Sequence, residues 1–187
     1  MKARLNIGIR VISSLLLASL FFISCVEFEQ VSPIPEIKYV EFDMISGIDS
    51  VLGNEVKFAQ IKFNFVDGDA DFGVYRDVNL NTQLPDSIRY NLFLTLYDKV
   101  DGLYTPNQIW IDSTSSFEDF TLNYPIFHDS KLDRVGQNKT VKGVITSNTQ
   151  ITSWDHIADT FRIEFYVRDR ALNKSNVEHT IDYSLND

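Results

Sequence analysis

FRIEFYVRD, residues 161–169, puts Phe161, Ile163, Phe165 and Val167 on one side and Arg162, Glu164 and Arg168 on the other. A period of two is the signature of an extended strand with one face on a core and one in water. The same period recurs outward from it. RYNLFLTLYD (89–98) sets Leu92, Leu94 and Leu96 against Phe93, Thr95 and Tyr97, a strand buried on one face and partly covered on the other. EVKFAQIKFNF (55–65) points Val56 and Phe58 one way and Ile61, Phe63 and Phe65 the other, which predicts a bulge near Ala59–Gln60. DFTLNY (119–124) and KTVKGVIT (139–146) are shorter candidates. HTIDYSL (179–185) reads as a last strand with His179, Ile181, Tyr183 and Leu185 on one side.

Turn residues punctuate these runs at Gly47, Gly53-Asn54, Asp67-Gly68, Asp101-Gly102, Gly136 and Asn173. No long helical stripe is present; TSWDHIAD (152–159) suits one short turn. Seven or eight strands without intervening helices predict an all-β fold, a Greek-key sandwich of immunoglobulin type over residues 36–187. The span between the second and third strands, Asp67–Ser87, is long enough to hide a further strand or a binding loop.

The first 24 residues read as a signal peptide. Lys2, Arg4 and Arg10 precede an uncharged apolar run, VISSLLLASLFFIS, too short to span a bilayer. It ends at Cys25, the single cysteine. FISC (22–25) is similar to the lipobox of bacterial lipoproteins, although Phe22 stands where leucine is usual. That resemblance implies cleavage before Cys25, its lipidation, and a lipid-anchored protein of the outer membrane, with residues 25–35 as tether. Glu27 and Glu29 resemble the acidic surface-export signal of Bacteroidetes lipoproteins; a solvated tether explains them as well.

Without the leader, 14 basic residues face 26 acidic ones, a charge of about −12. That excludes nucleic acid as a partner and suits divalent cations or a basic protein. No cysteine remains for a disulfide, so the domain rests on its core alone.

FVDGDADFG (65–73) gathers Asp67, Asp69 and Asp71 directly after a strand. If residues 55–65, 89–97 and 161–168 are strands B, C and F of the sandwich, the B–C and F–G loops meet at one end. The second of these, DRALNKSN (169–176), carries Asp169, Asn173 and Asn176, and the first strand brings Glu36 to the same end. Calcium takes six to eight oxygens, and alternate aspartates of a tight loop turn toward one point. Asp67, Asp69, Asp71, Asp169 and Asn173 are therefore candidate ligands of Ca2+. An EF-hand does not fit: Phe72 stands where the sharp-turn glycine belongs, and Val78 replaces the bidentate glutamate. A solvated Asp-Gly turn, tied by side-chain to backbone hydrogen bonds, is the other reading. The two loops resemble the FxDGDGDxG and DxAxNxSN loops of short Bacteroidetes lipoproteins with immunoglobulin-like domains. The resemblance implies fold and location, and little of activity. Ala70 and Leu172 replace glycines of those loops.

Catalytic signatures (G-x-S-x-G, H-E-x-x-H, a Walker loop) are missing, and Cys25 is destined for lipid, so an enzyme is not expected. His128 with Asp129 and Asp133, and His156 with Asp155 and Asp159, read as surface hydrogen bonds before half metal sites. The rival function is a contact with glycan or an envelope protein through Trp110 or Trp154, against core packing of both. In NQIWIDS, Trp110 faces opposite Ile109 and Ile111, so it is a platform if the isoleucines are core. Ser50, Ser87 and Ser113 follow aspartates in motifs that resemble Bacteroidetes O-glycosylation sites, which implies exposed loops.

Overall fold

The computed structural model describes residues 31–49, 51–75, 89–129, 139–150 and 158–185. Cys25, Glu27, Glu29, Ser50, Ser87 and Trp154 lie outside the described residues, as do Asp133, Asp155, His156 and most of TSWDHIAD. The chain is all-β, a sandwich of antiparallel sheets. Three strands, β1 (Glu36–Ile48), β2 (Glu55–Asp67) and β8 (Val141–Gln150), form one sheet in the order β1-β2-β8. The second is ordered β10-β9-β3-β4, from β3 (Leu92–Val100), β4 (Leu103–Pro106), β9 (Thr160–Val167) and β10 (Glu178–His179). β7 (Thr121–Tyr124) and β11 (Tyr183–Ser184) add to β3 and β9. A separate hairpin, β5 (Gln108–Ile111) with β6 (Ser116–Asp119), completes the set.

The alternating faces meet between the sheets. Phe63 of β2 and Phe165 of β9 are 5.3 Å apart, and Phe42 packs edge-on to Phe161. Ile61, Leu92, Leu94, Ile163 and Val167 fill the space around them, fully buried or nearly so. Burying each such side chain contributes about 1.5–3 kcal/mol. These residues hold the two sheets in register.

Three expectations are corrected. β2 runs without a bulge, its ladder with β8 unbroken from Phe58–Gln150 to Asp67–Val141; the register shift is in β1, between Tyr39 and Glu41. Val56 and Phe58 lie on the face opposite Ala59 and Ile61, half-exposed, and Phe58 lies over Gly47. HTIDYSL is two short strands rather than one, and its buried residue is Thr180, with His179 and Ile181 exposed. Thr180 exchanges two hydrogen bonds with the Ile163 backbone, which turns its side chain inward. Finally, residues 101–119 hold β4, β5 and β6, which raises the strand number above the expected seven or eight.

β2 and β9 run the same way in opposite sheets, so Asp67 and Val167 end at one end of the sandwich. Glu36 pairs with Val66 there, and Ile48 pairs with Glu55 at the far end.

Candidate metal centre

At the end of β2 the chain keeps its strand alternation one residue into the loop. Asp67 therefore points inward, like Phe63 and Phe65, and is completely buried. Phe72 follows as an anchor: it is buried and stacks on Phe65 at 4.8 Å, which folds the intervening loop back over the end of the core. Two glycines allow this path. A Cβ on Gly68 would collide with the carbonyl oxygens of Val31 and Ser32; one on Gly73, at φ +91°, would meet the His128 backbone at 2.8 Å. Ala70 and Leu172, the replaced glycines, sit at φ +61° and +68°. That left-handed region costs an L-residue roughly 1–2 kcal/mol.

The loop returns Asp69 and Asp71 to Asp67, and one carboxylate oxygen of each lies within 4.8 Å of the others. A single Ca2+ at 2.3–2.6 Å from each oxygen spans that separation. Asp67 Oδ2 accepts the Phe72 N–H at 2.9 Å, and Asp71 Oδ2 accepts the Ala171 N–H at 3.0 Å. Asp67 Oδ1 and Asp71 Oδ1 are buried and have no hydrogen-bond partner. An unsatisfied buried polar atom costs about 1–3 kcal/mol, more when charged. Burial is the largest cause that pushes the Asp67 carboxyl up to about 7; the Phe72 amide opposes it, and Asp69 and Asp71 add to the rise. Burial also raises Asp71, helped by the charges of Asp169 and Asp69 and opposed by the Ala171 amide and Arg170.

The loop 169–176 arrives as the topology requires. Asp169 is buried beside Asp71, but its oxygens are engaged within its own loop: Asn173 donates its backbone N–H to Oδ1 at 2.7 Å and its side-chain amide to Oδ2 at 2.8 Å. Asn173 faces the site's neighbour with donors, so the pair closes its own loop rather than joining the cluster. Glu36 is exposed at the start of β1. Among the described residues, the group able to hold a metal is Asp67, Asp69 and Asp71.

Two further residues shape the site in ways their spacing does not show: Arg170, and Asn176, read from the sequence only as a member of the second loop. Arg170 donates to the carbonyls of Ala70, Phe72 and Gly73, at 3.4, 3.4 and 3.1 Å, and lies over the Tyr75 ring. It thereby takes three of the main-chain oxygens of the loop, none of them an aspartate's. Asn176 grips β1, accepting the Ile37 N–H and donating to the Ile37 carbonyl, both at 2.9 Å. His128 lies against this loop, its Nδ1 3.3 Å from the Phe72 carbonyl. These contacts need three segments distant in sequence, and a side-chain amide that imitates a strand has no local pattern to betray it.

The structure shows which face of Trp110's strand is turned out. Ile109 packs on the core, and Trp110, on the other face of β5, is 52 % exposed. Its indole N–H donates to Asp112 at 2.7 Å, and its ring stands edge-on to exposed Phe117 at 5.2 Å. Ser113 is exposed in the turn between β5 and β6.

No protein-family model, curated protein or solved structure matches the chain.

Proposed function

We propose that this chain is a lipid-anchored envelope protein, tethered through Cys25, whose sandwich binds Ca2+ at Asp67, Asp69 and Asp71 and acts as a binding or structural module. The observation that carries the metal is the Asp67 carboxylate: fully buried, with an unpartnered oxygen, in a group that lies within 4.8 Å of two further carboxylates. A divalent cation supplies the missing partner and cancels the repulsion. The three carboxylates carry six oxygens, two of which already accept loop amides, and water completes the shell. The anchor rests on the apolar leader and the FISC resemblance at Cys25.

The test is a thermal melt of residues 26–187 in millimolar Ca2+ and then in chelator. A site filled at about a hundred times its dissociation constant adds about 2.7 kcal/mol. For a domain of this size that is roughly 5–10 °C. The shift should vanish in Asp69→Asn with Asp71→Asn; equal melting with and without Ca2+ in the wild type would remove the metal from the reading.

A second reading rests on the exposed Trp110–Phe117 pair, with Gln108 and Asp119 beside it on the hairpin. An aromatic face fixed by its own N–H bond and flanked by amide and carboxylate groups suits a sugar ring. Indole fluorescence titrated with envelope oligosaccharides should respond in the wild type and fail in Trp110→Ala. No response across neutral and acidic oligosaccharides would dismiss it.

A further inference from the structure

The acidic loop is packed on the segment by which the chain comes into the domain. Gly68, between two of the aspartates, presses on the carbonyl oxygens of Val31 and Ser32 closely enough to exclude a Cβ. A second route reaches the same segment from the other side. Asp71 accepts the N–H of Ala171 on its side chain and the N–H of Arg170 on its backbone carbonyl. Six residues after Arg170, the loop returns as Asn176 and, two residues on, Glu178. These fasten the outer edge of β1, with Asn176 on both polar groups of Ile37 and Glu178 accepting the Tyr39 N–H at 3.2 Å. β1 is an edge strand, so these side chains stand where a neighbouring strand would pair.

We propose that a cation held by Asp67, Asp69 and Asp71 locks the leading segment, residues 31–39, and the loop 169–178 onto the end of the sandwich. The proposal rests on the cation reading above. Without the ion, the three carboxylates repel and Asp67 keeps an unpaired buried oxygen, so openings that separate the loop from its two neighbours are favoured. With it, every such opening must release the ion. Protection of the amides exposed by those openings then grows with the ratio of free cation to its dissociation constant, about a hundredfold at a hundredfold excess.

Hydrogen exchange of residues 26–187, with and without millimolar Ca2+, reads this directly. Ca2+ should slow the amides of Ile37, Tyr39, Arg170 and Ala171 by about tenfold to a hundredfold, while the far hairpin around Lys99–Tyr104 stays unchanged. Terbium luminescence on the same sample reports occupancy. Terbium bound at the site with Ile37 and Tyr39 unchanged by Ca2+ would overturn the lock and leave the cation site standing. No binding at all would overturn the cation reading itself, and the lock with it. In Asp69→Asn with Asp71→Asn the slowing should disappear; slowing that persists there would place the cation elsewhere and overturn the proposal.

Discussion

Asp49 and Asp67 flank β2 at its two ends, and each belongs to a turn, yet they are held in opposite ways. Asp49, at the tip between β1 and β2, accepts the N–H groups of Val51 and Leu52 on Oδ1 and the Gln150 amide on Oδ2. The Leu52 and Val51 amides, with Gln150, hold its carboxyl below the usual range. Asp67 is buried, accepts one amide, and leaves Oδ1 with no partner. A carboxylate recruited to shape a turn is filled by the amides of that turn. Asp67 is not filled, and burial has raised it rather than lowered it. Turn chemistry explains the first residue and leaves the second with a buried, unpartnered oxygen, the feature on which the proposed cation rests.

The sharpest break of that comparison is to neutralise each carboxylate in chelator at pH 8. Asp67→Asn should stabilise the metal-free domain, since it removes a buried charge and keeps the acceptor for Phe72. With the folded carboxyl pushed up to about 7, mainly by burial, the gain at pH 8 is on the order of 1–3 kcal/mol. Asp49→Ala should have the opposite sign and lower the melting temperature, because two turn amides lose their acceptor. The pH dependence follows the same logic. The folded state holds the Asp67 proton up to about pH 7 and the unfolded chain releases it near pH 4. Its contribution to metal-free stability is therefore full below about pH 4 and is lost as pH rises through 7. Melts from pH 5 to 8 should show a decline in the wild type that Asp67→Asn flattens; parallel curves would refute the buried charge.

A smaller effect sharpens the view of the acidic end. Ala70 and Leu172 hold left-handed backbone there without the glycine that region favours. Ala70→Gly and Leu172→Gly should each raise stability by roughly 0.5–1 kcal/mol, the relief of strain less the added freedom of the unfolded chain. Denaturant midpoints check this, and a loss of stability in both would show that neither residue is strained.

The sandwich was legible because its long strands are half-buried: FRIEFYVRD and RYNLFLTLYD declare their faces by period two. That period, with the topology it implies, also brings loops 67–73 and 169–176 together. Legibility failed where burial is not periodic. Val56 and Phe58 are apolar but half-exposed, so the alternation suggested a bulge that β2 lacks. β4, β5 and β6 are four residues each, too short to stand out against their turns. At the site, the three aspartates were readable from spacing. The placement of Asp169 was readable too, but its closure by Asn173 was not, because that depends on which atoms a loop presents. Arg170 acts across more than ninety residues of chain and leaves no local trace, and Asn176, legible as part of the second loop, gave no sign that it would grip β1.

The most direct measurement is calorimetric titration of residues 26–187 with Ca2+ at pH 8, in the wild type, Asp67→Asn and Asp49→Asn. The expected result is one ion per chain in the wild type and in Asp49→Asn, and no binding in Asp67→Asn. Binding that survives Asp67→Asn unchanged, or no binding in the wild type, would contradict the assignment of the buried carboxylate to a cation.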